Sequence, residues 1–234
     1  MRTLGGFETV QELYRGGLGS VFSARPEGSG GVPSHVVKVC EPVAEILGEE
    51  QARAAVEVFL EGVQVQRAAA KAGGEHWAPV HAEGRTPYGA FYVTDLFDRG
   101  SLERIFAGRV RFDGRTLHHV AASVAAGLRE LESACGRGHG NLRPTNVLVA
   151  GGEGLGTARI VLSDPGVDRG EETRTADLRD LGRLIYQAVM HQGVHEGMVL
   201  PLPPAPAWAV LGKAGDGWRE LCSRLLAGEG MTLE

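Results

Sequence analysis

A cluster of glycines near the amino terminus has the composition of a phosphate-binding loop. Gly16, Gly17 and Gly19 lie close together and are followed by Val21. Because glycine has no Cβ atom, backbone N–H groups in such a loop can approach the phosphates of a nucleotide closely. The alternative interpretation is a simple turn between two strands. The cluster alone leaves both hypotheses open.

Two charged residues stand beside segments that have the composition of strands. Lys38 belongs to the run Val-Val-Lys-Val at residues 36–39, and β-branched residues of this kind favour a half-buried strand. Asp164 follows an apolar run and precedes Pro165 and Gly166. Each residue could bind a charged ligand. The alternatives are a solvated lysine at a strand end and an ordinary Asp-Pro-Gly turn.

Composition argues against several classes of function. The net charge of −5 argues against a nucleic-acid-binding surface, which needs clustered Lys and Arg. Cys40, Cys135 and Cys222 lie far apart, so the sequence predicts neither a zinc knuckle nor a disulfide framework. The sequence shows no signal segment and no apolar run of about 18 residues. We therefore expect a soluble, cytoplasmic protein with no nucleic-acid or membrane partner.

The hydrophobic pattern changes along the chain. Residues 7–39 and 90–93 have the composition of strands separated by glycine turns, and 146–149 with 158–162 predict a hairpin. Four segments carry apolar residues at helical spacing: 49–71, 116–133, 176–191 and 218–226. A β-rich first third and a helical remainder predict two lobes, with a boundary near residues 95–100.

Four segments, in order along the chain, resemble the motifs of eukaryotic-type protein kinases. The glycine cluster resembles the end of GxGxxGxV, with Tyr14 in place of the first glycine. Val36, Val37 and Lys38 resemble the VAIK strand. Residues 139–149 (His-Gly-Asn-Leu-Arg-Pro-Thr-Asn-Val-Leu-Val) match the catalytic loop HRDLKPxNVLV at seven positions. Asp-Pro-Gly at 164–166 stands where the kinase Asp-Phe-Gly follows the next strand.

Two further segments extend the resemblance over about residues 7–226. Residues 177–182 resemble the start of the central helix of the large kinase lobe, and residues 218–226 a helix near the kinase carboxyl terminus. The resemblance implies an α+β, two-lobed protein kinase-like fold. Residues 1–94 would form a small β-rich lobe, 95–100 a hinge, and 101–234 a larger helical lobe with a shortened activation segment. Because kinases usually have one more helix, we expect this lobe to be truncated or the chain to be a fragment.

The resemblance also implies that ATP and Mg²⁺ bind in the cleft between the lobes. Lys38 would contact the α- and β-phosphates, Thr94 would occupy the gatekeeper position, and residues 95–97 would offer backbone groups to adenine. The implied binding residues are Gly16, Gly17, Gly19, Val21, Val36, Lys38, Thr94, Asp95, Phe97, Asn146 and Asp164. Asn146 and Asp164 would hold Mg²⁺, because this ion prefers hard oxygen ligands and keeps few of them from the protein.

Departures from the kinase motifs imply weak or absent phosphate transfer. Asn141 replaces the aspartate that accepts the substrate proton, and a neutral amide cannot carry a proton away at neutral pH. General base catalysis is worth about 10²–10⁴ in rate. Gly140 replaces the arginine that contacts a phosphorylated activation loop, and Arg143 replaces a lysine. Only residues 167–176 separate Asp-Pro-Gly from the predicted central helix, too few for the usual peptide platform.

The partner of Lys38 stays open at this point. In kinases this lysine pairs with a helix glutamate, and the register from Phe59 puts Gly62 at that place. The alternatives are Glu61, Glu57, or a lysine without an ion pair.

Three functions are compatible with these residues. The first is a catalytically impaired pseudokinase that binds ATP and serves a protein partner or fused domain as an allosteric or scaffolding module. The His-Gly-Asn form at 139–141 is similar to that of Janus kinase pseudokinase domains. The second is a nucleotide-free scaffold of kinase fold, motivated by Tyr14, Val36 and Pro165. The third is a weak or atypical ATP-dependent transferase in which Asp168, Asp180 or a water replaces the missing base.

Overall fold

The computed structural model describes residues 2–228 as a mixed α/β protein. The described residues form two compact units. The first contains residues 2–73, 77–96 and 164–166, and the second contains 74–76, 97–163 and 167–228. A curled sheet in one unit and helices in the other are compatible with a two-lobed kinase-like fold. Residues 1 and 229–234, which we assigned to the two predicted lobes, lie outside the described residues.

The first unit is built on an antiparallel sheet. Its strands are β1 (Thr3–Leu4), β2 (Phe7–Gly16), β3 (Gly19–Pro26), β4 (His35–Cys40), β5 (Ala82–Thr86) and β6 (Gly89–Asp95). Their spatial order is β1-β2-β3-β4-β6-β5. Strands β4 and β6 are rich in β-branched and aromatic residues. Both strands carry buried side chains on each face of the sheet.

The two faces of this sheet have different coverings, because successive strand residues point to opposite sides. On the helix face, Cys40 and Ala90 pack with Val56 of helix α2 (Glu49–Lys71), which the short helix α1 (Ala44–Leu47) precedes. On the other side, here called the outer face, residues of β3, β4 and β6 form a separate core: Ala24, Val37, Val39, Phe91 and Val93. Lys38 therefore belongs to the helix face.

The second unit is mainly helical. Its helices are α3 (Leu102–Ala107), α4 (Gly114–Cys135), α5 (Glu171–Met190), α6 (Pro206–Ala209) and α7 (Gly215–Ala227). Strands β7 (Gly100–Ser101), β8 (Val147–Ala150) and β9 (Arg159–Leu162) form a small antiparallel sheet. The carboxylate of Asp113 caps α4 by accepting from the N–H of Thr116 at 2.7 Å, and Gly136 ends it in the left-handed conformation.

The structure confirms the predicted strands at 36–39 and 90–93, the 146–162 hairpin, and the helices at 49–71, 116–133 and 218–226. The predicted start of the helix at 176–191 is wrong. Helix α5 begins at Glu171 rather than near residue 176, because its first turn is polar and carries no apolar periodicity. Glu171 and Glu172 suit that turn, since negative charge is stabilising at a helix amino terminus.

Within residues 2–228, no helix is both long enough and apolar enough to cross a membrane.

Candidate functional site

The glycine cluster forms the turn of the β2–β3 hairpin. Gly16 pairs with Gly19, and residues 17 and 18 form the turn between them. A Cβ atom on Gly19 would overlap the backbone carbonyl of Val39 in the neighbouring strand, so packing alone requires glycine there. A Cβ atom on Gly16 would lie 3.0 Å from the ring of Tyr14. Gly17 has open space around it. Packing therefore explains Gly19, and phosphate approach stays a hypothesis for the turn.

Lys38, Tyr92 and Asp164 form a hydrogen-bonded cluster inside the first unit. Lys38 and Tyr92 are direct partners across β4 and β6. The ammonium Nζ of Lys38 lies 2.7 Å from Oδ2 of Asp164, and the Tyr92 hydroxyl donates to Oδ1 at 2.9 Å. Burial, followed by the nearby Asp164 carboxylate, raises the pKa of Tyr92 well above its ordinary value. The Tyr92 hydroxyl therefore remains a proton donor, and both carboxylate oxygens are engaged.

This cluster answers the question left open for Lys38. Its ion pair is with Asp164 rather than with Glu57 or Glu61. Glu57 instead pairs with Arg85 of β5 at 2.7 Å, and Glu61 is exposed. The lysine ammonium thus meets a carboxylate from the Asp-Pro-Gly segment in place of one from helix α2.

Helix α2 contributes two contacts to the Asp-Pro-Gly segment. Gln66, a buried amide in the helix, accepts from the backbone N–H of Asp164 at 2.9 Å and donates to the carbonyl of Ala78 at 3.0 Å. Gly62 lies against the backbone carbonyl of Pro165, which a Cβ atom would approach to 2.6 Å. Asp164 itself adopts a positive φ of 57°, which is uncommon outside glycine. The segment is thus fixed by the helix on one side and by Lys38 and Tyr92 on the other.

The remaining predicted residues of the first unit lie along β3, β4 and β6. Val21 pairs with Lys38, and Val36 pairs with Thr94, so Thr94 shares the helix face. The Thr94 hydroxyl oxygen is buried and has no hydrogen-bond partner among the described residues. Such a group is costly unless something satisfies it. Asp95, at the end of β6, is bonded to His81 at 2.7 Å.

Phe97, Asn141 and Asn146 belong to the second unit. Phe97 is buried, and the guanidinium of Arg159 lies 5.9 Å from its ring centre. The Asn141 amide oxygen accepts from Nε of Arg143 at 2.8 Å. The side chain in the position of the kinase base is therefore already hydrogen-bonded to a nearby arginine. Asn146 is buried, and its amide nitrogen donates to the Asn141 carbonyl at 2.8 Å.

Asp177 of α5 braces the segment that resembles the catalytic loop. Its carboxylate accepts from the backbone N–H of His139 at 2.6 Å and of Gly140 at 2.9 Å. His139 is itself fully buried, and its Nδ1 accepts from the N–H of Asn141 at 3.2 Å. Burial raises the pKa of Asp177 to about 6, although the two backbone N–H groups oppose that rise. Asp177 is a structural brace.

Replacing Asp177 with asparagine is expected to change how stability depends on pH. Because the folded-state pKa of about 6 exceeds the ordinary 3.8, the folded chain binds more protons between these values, and this contribution to stability falls as pH rises. Asparagine cannot titrate. The free energy of unfolding of the native chain, minus that of Asp177→Asn, should fall by about 1 kcal/mol from pH 5 to 7. Urea unfolding measures it, and parallel profiles would contradict the assignment.

Asp168 and Asp180, the candidate replacements for the missing base, both have protein partners. Asp168 accepts from the N–H of Gly138 at 3.3 Å, and Asp180 pairs with Arg183 one turn along α5. Burial raises the pKa of Asp180, an effect that Arg183 opposes. Neither arrangement presents an unengaged base.

The segment after Asp-Pro-Gly is shorter than the sequence predicted. Since α5 begins at Glu171, residues 167–170 alone separate it from Gly166. The carbonyl of Val167 lies against Gly140, where any Cβ atom would overlap it, and Gly140 has a φ of 67°. Glycine at this place is therefore required by the short connection, and the arginine of the kinase motif would not fit.

Asp164 and Asn146, the two residues expected to hold Mg²⁺, each offer an oxygen atom in their own unit. Each unit holds one predicted ligand: Asp164 supplies a carboxylate, and Asn146, with its amide nitrogen bonded to Asn141, offers its amide oxygen, which has a 3.3 Å contact with the Thr145 hydroxyl. These oxygens fit the chemistry of Mg²⁺. Lys38 and Tyr92 each contact one Asp164 oxygen, so a bound ion would either share these oxygens with them or displace them.

Comparison with known proteins points to kinases. No protein family model matches the sequence. The chain is 32% identical over 147 residues to a probable serine/threonine-protein kinase, PkwA, of Thermomonospora curvata. The match covers 63% of this chain and 18% of that protein, so the matched part spans less than a fifth of its relative's length. This similarity supports a kinase-like relationship.

Tyr92 and Gln66 are the site residues that sequence reasoning missed. Gln66 carried a signal, because it continues the apolar stripe of Phe59 and Val63 and is thus a polar side chain on the buried side of the helix. Tyr92 carried no signal in the sequence, because its place opposite Lys38 becomes known only from the strand register.

Proposed function

We propose that this chain is a pseudokinase that binds ATP with Mg²⁺ and acts as a regulatory or scaffolding module for a protein partner or fused domain. The observation that carries the proposal is the Lys38–Asp164 pair, which places an ammonium and a carboxylate together on the helix face. A nucleotide phosphate would take over the ammonium, and Mg²⁺ would take over the carboxylate. The buried Thr94 hydroxyl on the same face, which has no hydrogen-bond partner within residues 2–228, supports a ligand there.

Residues of the second unit argue against phosphate transfer. A neutral Asn141, bonded to Arg143, stands in the base position, and Asp168 and Asp180 are engaged elsewhere. Four residues between Gly166 and α5 leave little chain for a peptide platform. We expect no transfer of label from γ- or α-labelled ATP to protein or peptide, and measurable transfer of either label would contradict this part of the proposal.

Thermal melts with ATP test nucleotide binding. At about 100 times Kd, a bound ligand adds roughly 2.7 kcal/mol, which should raise Tm by about 5–10 °C. We expect a rise that requires Mg²⁺ in the native chain and disappears in Asp164→Asn, since the amide keeps the shape but loses the charge. Asp216→Asn, which removes a surface carboxylate paired with Arg219, is the matched control and should behave as the native chain does.

A nucleotide-free scaffold is the second candidate, and one observation favours it. Both oxygens of Asp164 are already engaged, by Lys38 and by Tyr92. Tyr92→Phe removes one competitor and leaves the carboxylate in place. If this variant and the native chain both fail to respond to millimolar ATP with Mg²⁺ while remaining folded, the scaffold replaces the nucleotide proposal. If only Tyr92→Phe responds, the Tyr92 hydroxyl is what excludes the ion.

A further inference from the structure

Three potential metal ligands converge at one end of the first unit's sheet. His35 begins β4 and Asp95 ends β6, and these two residues are direct partners across the strands. His81 immediately precedes β5, where its backbone N–H donates to the Val93 carbonyl at 2.9 Å. One ligand atom from each of the three side chains lies within 4.8 Å of the others.

The contacts of these side chains orient their donor atoms. Nε2 of His81 lies 2.7 Å from Oδ1 of Asp95, and the rings of His35 and His81 meet edge to face with centres 5.1 Å apart. The Ser34 hydroxyl lies 2.8 Å from Nδ1 of His35. That contact occupies one ring nitrogen and leaves Nε2 for a ligand, the arrangement in which an outer partner fixes a metal-binding imidazole.

The ring of His35 is also held from a second side. The ring of Phe7 packs against it with centres 4.6 Å apart. Together with the Ser34 contact, this packing restricts rotation of the His35 ring.

We propose that His35, His81 and Asp95 bind one divalent transition metal, with zinc as the best match, and leave a fourth position open. Two imidazoles and a carboxylate are zinc ligands, whereas Mg²⁺ prefers oxygen alone. At zinc–ligand distances near 2.0–2.1 Å, tetrahedral ligand atoms lie about 3.4 Å apart. The three donors must therefore draw together by side-chain rotation, for which His81, with 37% of its side chain exposed, has room.

The site is separate from the Lys38 cluster and serves a different purpose. His35 shares its side of β4 with Val37 and Val39, which belong to the outer face, while Lys38 belongs to the helix face. A bound ion would join the start of β4, the end of β6 and the segment before β5. It would stabilise this end of the sheet whether or not the chain binds nucleotide.

Zinc titration of tag-free, metal-stripped protein without ATP tests the proposal. Calorimetry should give one zinc per chain, and the same titration with Mg²⁺ should give no binding. Cobalt in place of zinc should give visible absorption typical of tetrahedral nitrogen and oxygen ligands, without the strong thiolate bands that binding at a cysteine would produce. Affinity for zinc should fall at least about tenfold in His81→Ala and in Asp95→Asn.

His76→Gln is the matched control, because His76 forms a similar pair with Glu130 at 2.7 Å but belongs to the other unit. This variant should bind zinc as the native chain does. Zinc affinity that is unchanged in both His81→Ala and Asp95→Asn, affinity that is lost in His76→Gln, or thiolate bands in the cobalt spectrum would each overturn the assignment. Circular dichroism establishes that each variant is folded.

Discussion

Replacing Asp177 with alanine is expected to lower the free energy of unfolding by about 1–3 kcal/mol. The substitution leaves the buried backbone N–H of His139 without its acceptor, and an orphaned buried donor costs about 1–3 kcal/mol. The N–H of Gly140 also loses its acceptor, but this residue is exposed, so water can replace the bond. Removal of a buried carboxylate that is costly to ionise offsets part of the loss. For a chain of this size, Tm should fall by roughly 2–12 °C, which a calorimetric scan measures.

Asp180→Ala provides the control for this prediction. Asp180 lies one turn further along α5 and pairs with Arg183, the two side chains being 22% and 60% exposed. Because the exposed Arg183 stays solvated when its partner is removed, the pair contributes about 0–1 kcal/mol, and this change should lower Tm by no more than a few degrees. Equal losses in the two variants would mean that the helix alone, rather than the brace on the loop, determines the effect of Asp177.

Elements with strong periodicity were predictable from the sequence, whereas contacts between distant segments were not. Helices α2 and α4 follow their apolar stripes, and the β8–β9 hairpin follows its two apolar runs. The start of α5 was missed because its first turn consists of polar residues: Glu171 and Glu172 are exposed, and the buried Thr173 accepts from the N–H of Arg169 at 2.6 Å. Apolar periodicity is silent where the first turn of a helix is polar.

In the candidate site too, single residues were predictable and their contacts with distant segments were not. Residues matching a motif, such as Lys38 and Asp164, could be named from the sequence, and the structure pairs them directly. The hydrogen bonds that hold Asp164 could not be predicted from the sequence. Gln66 accepts from the N–H of Asp164 across 98 residues of sequence, and Tyr92 donates to its carboxylate across 72. The convergence of His35 and Asp95 depends likewise on strand register, which one sequence does not define.

Gly62 is unfavourable for helix propensity but is required by packing. In a helix interior, glycine costs about 1 kcal/mol relative to alanine, so the sequence presents it as a weakness. In the structure, the carbonyl of Pro165 occupies the space where its side chain would be. The absent side chain is what allows the Asp-Pro-Gly segment to approach helix α2, and with it the contact of Gln66 with Asp164.

Gly62→Ala is therefore expected to destabilise the chain, against its intrinsic helix preference. The new Cβ atom would stand 2.6 Å from the Pro165 carbonyl oxygen, a backbone atom that cannot move without displacing Asp164. Overpacking of this kind costs typically 1–3 kcal/mol, and we expect it to exceed the gain of about 1 kcal/mol in helix propensity. Urea unfolding of the variant should show a net loss.

The matched control is Gly217→Ala, in helix α7, where a Cβ atom would meet nothing within 4 Å. Here only the helix preference acts, so this variant should gain up to about 1 kcal/mol. Opposite signs for the two substitutions would establish that close approach to Pro165, and not glycine's flexibility, explains residue 62. A gain in both variants would show that the segment yields freely, and Lys38 would then have to hold Asp164 without support from helix α2.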